Sequence, residues 1–130
     1  MDFERGVAWG YVAEAALEVL NLDETLTSPN RPVLRDEMHD AARRAEKLLS
    51  MGQLNQPTKK VLILNQLRVV AALIDAKPTP EALQEARATY DRAVALAETL
   101  ALDEDVRHEL TALGGYLRNA EAGRLPLDNG

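Results

Sequence analysis

The chain has 130 residues, a hydrophobic fraction of 46% and a formal charge of −6. That length suits one domain with a core of its own, and the composition excludes wholesale disorder. It has no cysteine, which excludes a disulfide framework, thiol catalysis and thiolate metal sites.

The opening MDFERGVAWGYVAEAALEVL begins with acids rather than the basic and then apolar stretch of a secretory signal. A cytoplasmic protein with no membrane association is the expectation. Charge is unevenly spread. Residues 1–28 carry Asp2, Glu4, Glu14, Glu18, Asp23 and Glu24 against Arg5, whereas residues 29–60 are mildly basic.

Helix one is expected over about Asp2–Leu22, with Ala8, Val12, Ala15, Val19 and Leu22 as its apolar stripe and Glu4, Glu14 and Glu18 away from it. Phe3, Trp9 and Tyr11 fall here, out of one Phe, one Trp and three Tyr in the whole chain. They read either as a plug at one end of the core or, for Trp9 and Tyr11, as anchors for a partner, because aromatic residues dominate interface hot spots. DETLTSPNRP is the longest break, since Ser28 and Arg31 each precede a proline.

Pro32 opens helix two, about residues 32–51, with Leu34, Met38, Ala41, Ala45 and Leu48 inward and Gly52 as a left-handed terminator. Its Asp36, Asp40, Arg43 and Arg44 interleave at helical spacing, which marks a solvated face.

The stretch PTKKVLILNQLRVVAALIDA, Pro57–Ala76, is the expected central helix. Apolar positions run nearly all round it, so other helices surround it, and its polar residues keep it from being a membrane span. Asn65, Gln66 and Arg68 either form its one solvent strip, with Lys59 or Asp75, or line a groove where they meet a partner's backbone.

Thr79 caps helix four, about Pro80–Ala101, which turns Leu83, Ala86, Tyr90, Ala93, Val94, Ala97 and Leu100 inward. Asp103 caps helix five, about residues 103–122, built on Val106, Leu110, Leu113, Leu117 and Ala120 and ending near Gly123. Residues 125–130 have no periodicity and read as a loose tail. Short links make neighbouring helices antiparallel. The expectation is all-α: one domain over residues 1–124 with five antiparallel helices, in a bundle or a short array of hairpins.

From Glu85 the chain reads EARATYDRAVALAETLALDEDVRHELTALGGYLRNAEAGRL. This resembles the long form of the tetratricopeptide repeat, the kind found in kinesin light chains and many bacterial scaffolds. Ala86, Tyr90 and Ala93 match the Ala-x3-aromatic-x2-Ala of one helix, and Leu113, Gly114, Tyr116 and Gly123 stand in similar places on the next. Tyr116 sits one position early, and no proline closes helix four. The resemblance covers residues 85–125 and implies a helical groove for a peptide or a partner helix rather than chemistry.

Two constellations bear on catalysis. Asp36-x-x-His39 and Asp105-x-x-His108 each put a carboxylate and an imidazole on one helical face, a spacing that helical metal bundles use. Yet both lie near helix starts, where acids complement the dipole, and neither histidine joins an apolar stripe. Gly114-Gly115 lies within a helix and has no partner lysine, so it makes no phosphate loop. Ser28 and Ser50, the two serines, have no base in pattern, which leaves nucleophilic catalysis unsupported.

The reading that results is a non-enzymatic protein–protein interaction module, a small acidic adaptor, scaffold or inhibitor/immunity-type protein without a cofactor. Its candidate contact residues are Trp9, Tyr11, Glu14, Glu18, Asn65 and Arg68, its partner another protein with a basic surface, and self-association a variant. The alternatives are a metal-dependent helical-bundle enzyme on Asp36, His39, Asp105 and His108, and a small dimeric nucleic-acid regulator using Arg35, Arg43, Arg44, Lys59 and Lys60. Nucleic acid is the less favoured partner, because its binders carry a net basic footprint.

Overall fold

A computed structural model of the chain describes residues 2–22, 31–52, 54–75, 78–101 and 103–123, with side chains of the first helix described from Glu4 to Ala15. They form five helices: α1 Asp2–Leu22, α2 Arg31–Ser50, α3 Gln56–Ile74, α4 Pro80–Ala97 and α5 Glu104–Glu121. No strand occurs among the described residues, so the fold is an all-α helical bundle. The loop over residues 23–30 and the expected tail over 125–130 lie outside the described residues.

Local chemistry sets most helix starts. The Thr79 hydroxyl accepts from the Ala82 amide at 3.1 Å, and the Asp103 carboxylate accepts from the Val106 amide at 3.1 Å. Each satisfies a donor that a helix N-terminus would otherwise leave open. The third cap is Asn55, whose side chain accepts from the Thr58 amide at 3.0 Å and the Thr58 hydroxyl at 2.7 Å. α3 therefore begins at Gln56, a residue ahead of Pro57.

Three helix ends differ from expectation, α3 among them: it stops at Ile74 rather than Ala76, because Asp75 is extended. α4 stops at Ala97 rather than Ala101, because Gln56 takes over the chain beyond it. Its side chain accepts from the Ala101 amide at 2.6 Å and donates to the Thr99 carbonyl at 3.2 Å. Gly52 does not adopt the left-handed conformation; the glycine that does is Gly123, with φ of 82°, just past α5.

α3 is the hub. Ile63, Leu67, Val70 and Ile74 pack with Ala86, Ala93, Val106, Leu113 and Leu117 from α4 and α5. Its Val69 and Ala72 join Ala13, Met38, Ala41 and Ala42, and Leu62 joins Ala45 and Leu49. Each fully buried aliphatic side chain contributes about 1.5–3 kcal/mol relative to exposure, so this helix holds the others. Among the described residues, α1 packs on α2 and α3 alone, and α5 on α3 and α4 alone. The helices thus make an open row whose two ends do not meet.

α1 docks through a different face from the apolar stripe. Gly6, Gly10 and Ala13 turn inward, with Trp9 beside them, whereas Ala8, Val12 and Ala15 are exposed. The reason is close approach. A Cβ at Gly6 would lie 2.7 Å from the Leu49 Cγ, and one at Gly10 would lie 3.0 Å from the Asn65 Nδ2. Contact at that range brings many atoms into dispersion distance, which the Ala8–Val12–Ala15 side would hold apart. Val19 and Leu22 of that stripe, and Phe3, have side chains outside the described residues.

The polar residues of α3 also separate. Asn65 and Gln66 are buried rather than part of a solvent strip. The Asn65 amide donates to the Val61 carbonyl at 2.8 Å, and the Gln66 amide donates to the Glu46 carboxylate at 3.1 Å. Arg68 alone stays on the open strip. On the other side of the hub, a Cβ at Gly114 would collide with the Tyr90 hydroxyl. That hydroxyl instead crosses the missing side chain to donate to the Leu110 carbonyl at 2.8 Å.

Candidate protein-binding groove

One face of α3 is left without a helix over it. Leu64, Arg68 and Ala71 are half-buried and recur at i, i+4 and i+7, so they form a single strip. On one side of that strip Asn65 meets Gly10 of α1, and Val69 and Ala72 pack with Ala13. On the other side the Lys60 ammonium reaches Asp103 at 3.0 Å and Asp105 at 3.7 Å, at the start of α5. Leu64 and Ala71 themselves pack against the α3–α5 cluster. The strip is therefore a floor, with α1 and α5 as its walls.

Helical rotation then assigns the wall residues. Glu14 follows Gly10 by one turn, on the edge of α1 that adjoins α3, and Tyr11 stands higher on the same side. Both are exposed, Tyr11 at 67%. On α5, Gly114 faces Tyr90 and Glu121 pairs with Arg87, so that edge belongs to α4. Glu109, Ala112 and Tyr116 lie on the opposite edge, towards the floor. Ala112 is half-buried against the core, whereas Tyr116 is 46% exposed.

Two carboxylates of this groove are not consumed by the fold. Glu14 and Glu109 make no ion pair among the described residues. Arg68 donates to the Leu64 carbonyl at 2.8 Å, and its Nε has no partner among the described residues. The α2–α4 side is the opposite case. Arg31 holds Asp75 at 3.0 and 2.6 Å, with Arg35 3.5 Å away. Arg43 bridges Glu46 at 2.7 Å and Glu85, and Arg92 reaches Glu46 at 3.4 Å. Burial alone would push the Glu85 carboxyl up, but hydrogen bonds from Arg43 and His39 outweigh it and hold the group below its ordinary range. Burial likewise opposes the Arg43 charge, and Glu85 and Glu46 overcome it to raise that guanidinium.

Of the residues singled out by sequence, Tyr11, Glu14 and Arg68 share the groove. Trp9 and Asn65 do not. Trp9 is half-buried among the α1–α2–α3 contacts, with the Arg44 guanidinium 4.9 Å from its ring centroid, and Asn65 is 3% exposed. The side chain of Glu18 lies outside the described residues. The sequence reading missed Leu64, Ala71, Glu109 and Ala112, which carry no signal by type. Tyr116 had one, through the repeat resemblance, but was not assigned to a surface.

The alternative constellations are dispersed. Asp36–His39 and Asp105–His108 sit on α2 and α5, which do not pack together. The His39 Nε2 lies 3.1 Å from Glu85 instead, and His108 is exposed. No three His, Cys, Asp or Glu side chains gather as a metal site among the described residues. Arg44 pairs with Asp40 at 2.9 Å and Lys60 with Asp103, so the candidate nucleic-acid cations point to different acids on different helices. A cleft of about 340 Å³ between α2, the end of α3 and the start of α4 is lined by Arg35, His39, Asp75, Thr79 and Glu85. Arg35 pairs with Asp75 there and His39 with Glu85, while Asp36 on the same lining makes no ion pair among the described residues. No helix of the described residues is long and apolar enough to cross a membrane.

No family model, curated protein or solved structure matches this chain.

Proposed function

We propose that this chain is a non-enzymatic protein–protein interaction module, an adaptor, scaffold or inhibitor/immunity-type protein, that receives a segment of a partner in the α1–α3–α5 groove. One observation carries the reading: Tyr11 and Tyr116 stand exposed on opposite walls of a half-buried floor made by Leu64, Arg68 and Ala71. Tyrosine and arginine are enriched in protein interfaces and among their hot spots. The order of packing supports a repeat-like array, because α3 touches α1 and α5 while α1 and α5 stay apart. In such an array the odd-numbered helices line one side, which suits the hairpin resemblance of the second half.

The test is a selection of displayed random peptides on the wild-type chain, with a Tyr11→Ser, Tyr116→Ser double variant as the counter-bait. The reading expects peptides with a shared pattern whose affinity drops about tenfold or more on the double variant, the loss of two modest hot spots. Peptides that bind both baits alike, or no enrichment, would reject it.

A further inference from the structure

We infer that the groove's occupant is an amphipathic helix bearing lysine or arginine beside its apolar stripe; this rests on the groove reading above. Glu14 on one wall and Glu109 on the other have no ion pair within the described residues, and Asp105, at the groove's start, is exposed and 3.7 Å from Lys60. The floor cation Arg68 gives its Nη1 to the Leu64 carbonyl. On the α2–α4 side, by contrast, Arg31, Arg35, Arg43 and Arg92 meet Asp75, Glu46 and Glu85 within the chain.

In the groove, Glu14 and Glu109 flank a floor of Leu64, Ala71 and Arg68, so a carboxylate stands on each wall. With a chain charge of −6 behind them, they attract a cationic segment and repel an acidic one. A second copy of this chain is a poor occupant, because its own α1 would bring Glu4 and Glu14 towards these walls. A helix suits the space better than an extended strand. Ala71 in the floor and Ala112 in the wall are small, which permits the close axial approach of packed helices, and the groove offers no sheet edge to pair with.

The probes are two synthetic peptides of about 18 residues, five turns of helix, with the same leucine stripe and either lysine or glutamate flanks. Binding to the full chain is followed by fluorescence anisotropy at about 50 mM and about 300 mM salt, across which screening changes severalfold. The lysine peptide is expected to bind at least about tenfold tighter at low salt, since exposed ion pairs amount to factors of two to five each. Glu14→Gln with Glu109→Gln should erase most of that preference, and Asp36→Asn on α2 should leave it intact.

Equal binding of both peptides that still depends on Tyr11 and Tyr116 would overturn the basic-helix inference and leave the groove standing. Lysine-peptide binding indifferent to the two tyrosines would overturn the groove itself. Failure of both peptides to bind would also overturn the inference.

Discussion

The α2–α4 side and the α1–α3–α5 side of this molecule use charge in opposite ways. Across α2 and α4, Arg43 is shared between Glu46 and Glu85, Glu46 between Arg43, Arg92 and Gln66, and Asp75 between Arg31 and Arg35. Those groups are spent on holding two helices over α3 without backbone contact between them. In the groove, Glu14 and Glu109 make no ion pair among the described residues, and two tyrosines stand exposed. A carboxylate whose partners are inside the chain serves stability; one without them is available to another molecule.

The largest effect should come from breaking the paired side. Asp75→Ala leaves Arg31, only 9% exposed, without its bidentate acceptor, and should cost about 2–4 kcal/mol in urea unfolding. Retention of wild-type stability would mean that the pair is ornamental.

Next comes the seat of the groove's first wall. Gly6→Val places a methyl-bearing Cβ 2.7 Å from Leu49, forcing α1 outward for about 1–3 kcal/mol. Here stability and peptide binding should fall together, because the wall moves.

A smaller effect is set by pH. The folded Glu85 carboxyl is held below its ordinary value of 4.5, so its contribution is present above that value and lost as pH falls through the folded pKa. Wild type should therefore melt higher than Glu85→Gln at neutral pH, with the two curves converging as pH falls through the depressed folded pKa. A difference that widens in acid would mean the carboxyl is not paired as described.

Smallest should be Tyr11→Ser, within about 0.5 kcal/mol of wild type in thermal unfolding, since so exposed a side chain buries little on folding. A large loss of stability would return Tyr11 to the core and remove one wall of the site.

How much of this was legible depends on which physical term decides each feature. The central helix could be read because hydropathy all round a helix has one outcome, and Thr79 and Asp103 could be read because a cap is local. α1 could not. Ala8, Val12 and Ala15 look like a core stripe to any hydropathy count, yet Gly6, Gly10 and Ala13 win the interior because small residues allow Leu49 and Asn65 to come close. The end of α4 was equally hidden, since its stop is Gln56, forty-odd residues back in the chain. Tyr11, Glu14 and Arg68 were named by type, but nothing in their spacing said that they share a groove with Tyr116, nor that Trp9 and Asn65 turn away from it.

The sequence by itself determined that the chain is all-α, that the stretch within Pro57–Ala76 holds the central helix, and where two of its helices begin. Those outcomes follow from periodicity and from hydrogen bonds between near neighbours. The tertiary structure alone decided which face of α1 docks, where α4 ends, and which charges meet a partner inside the chain. Fit at contact distance and pairing between residues far apart in sequence decide those, and both act only once the helices are packed.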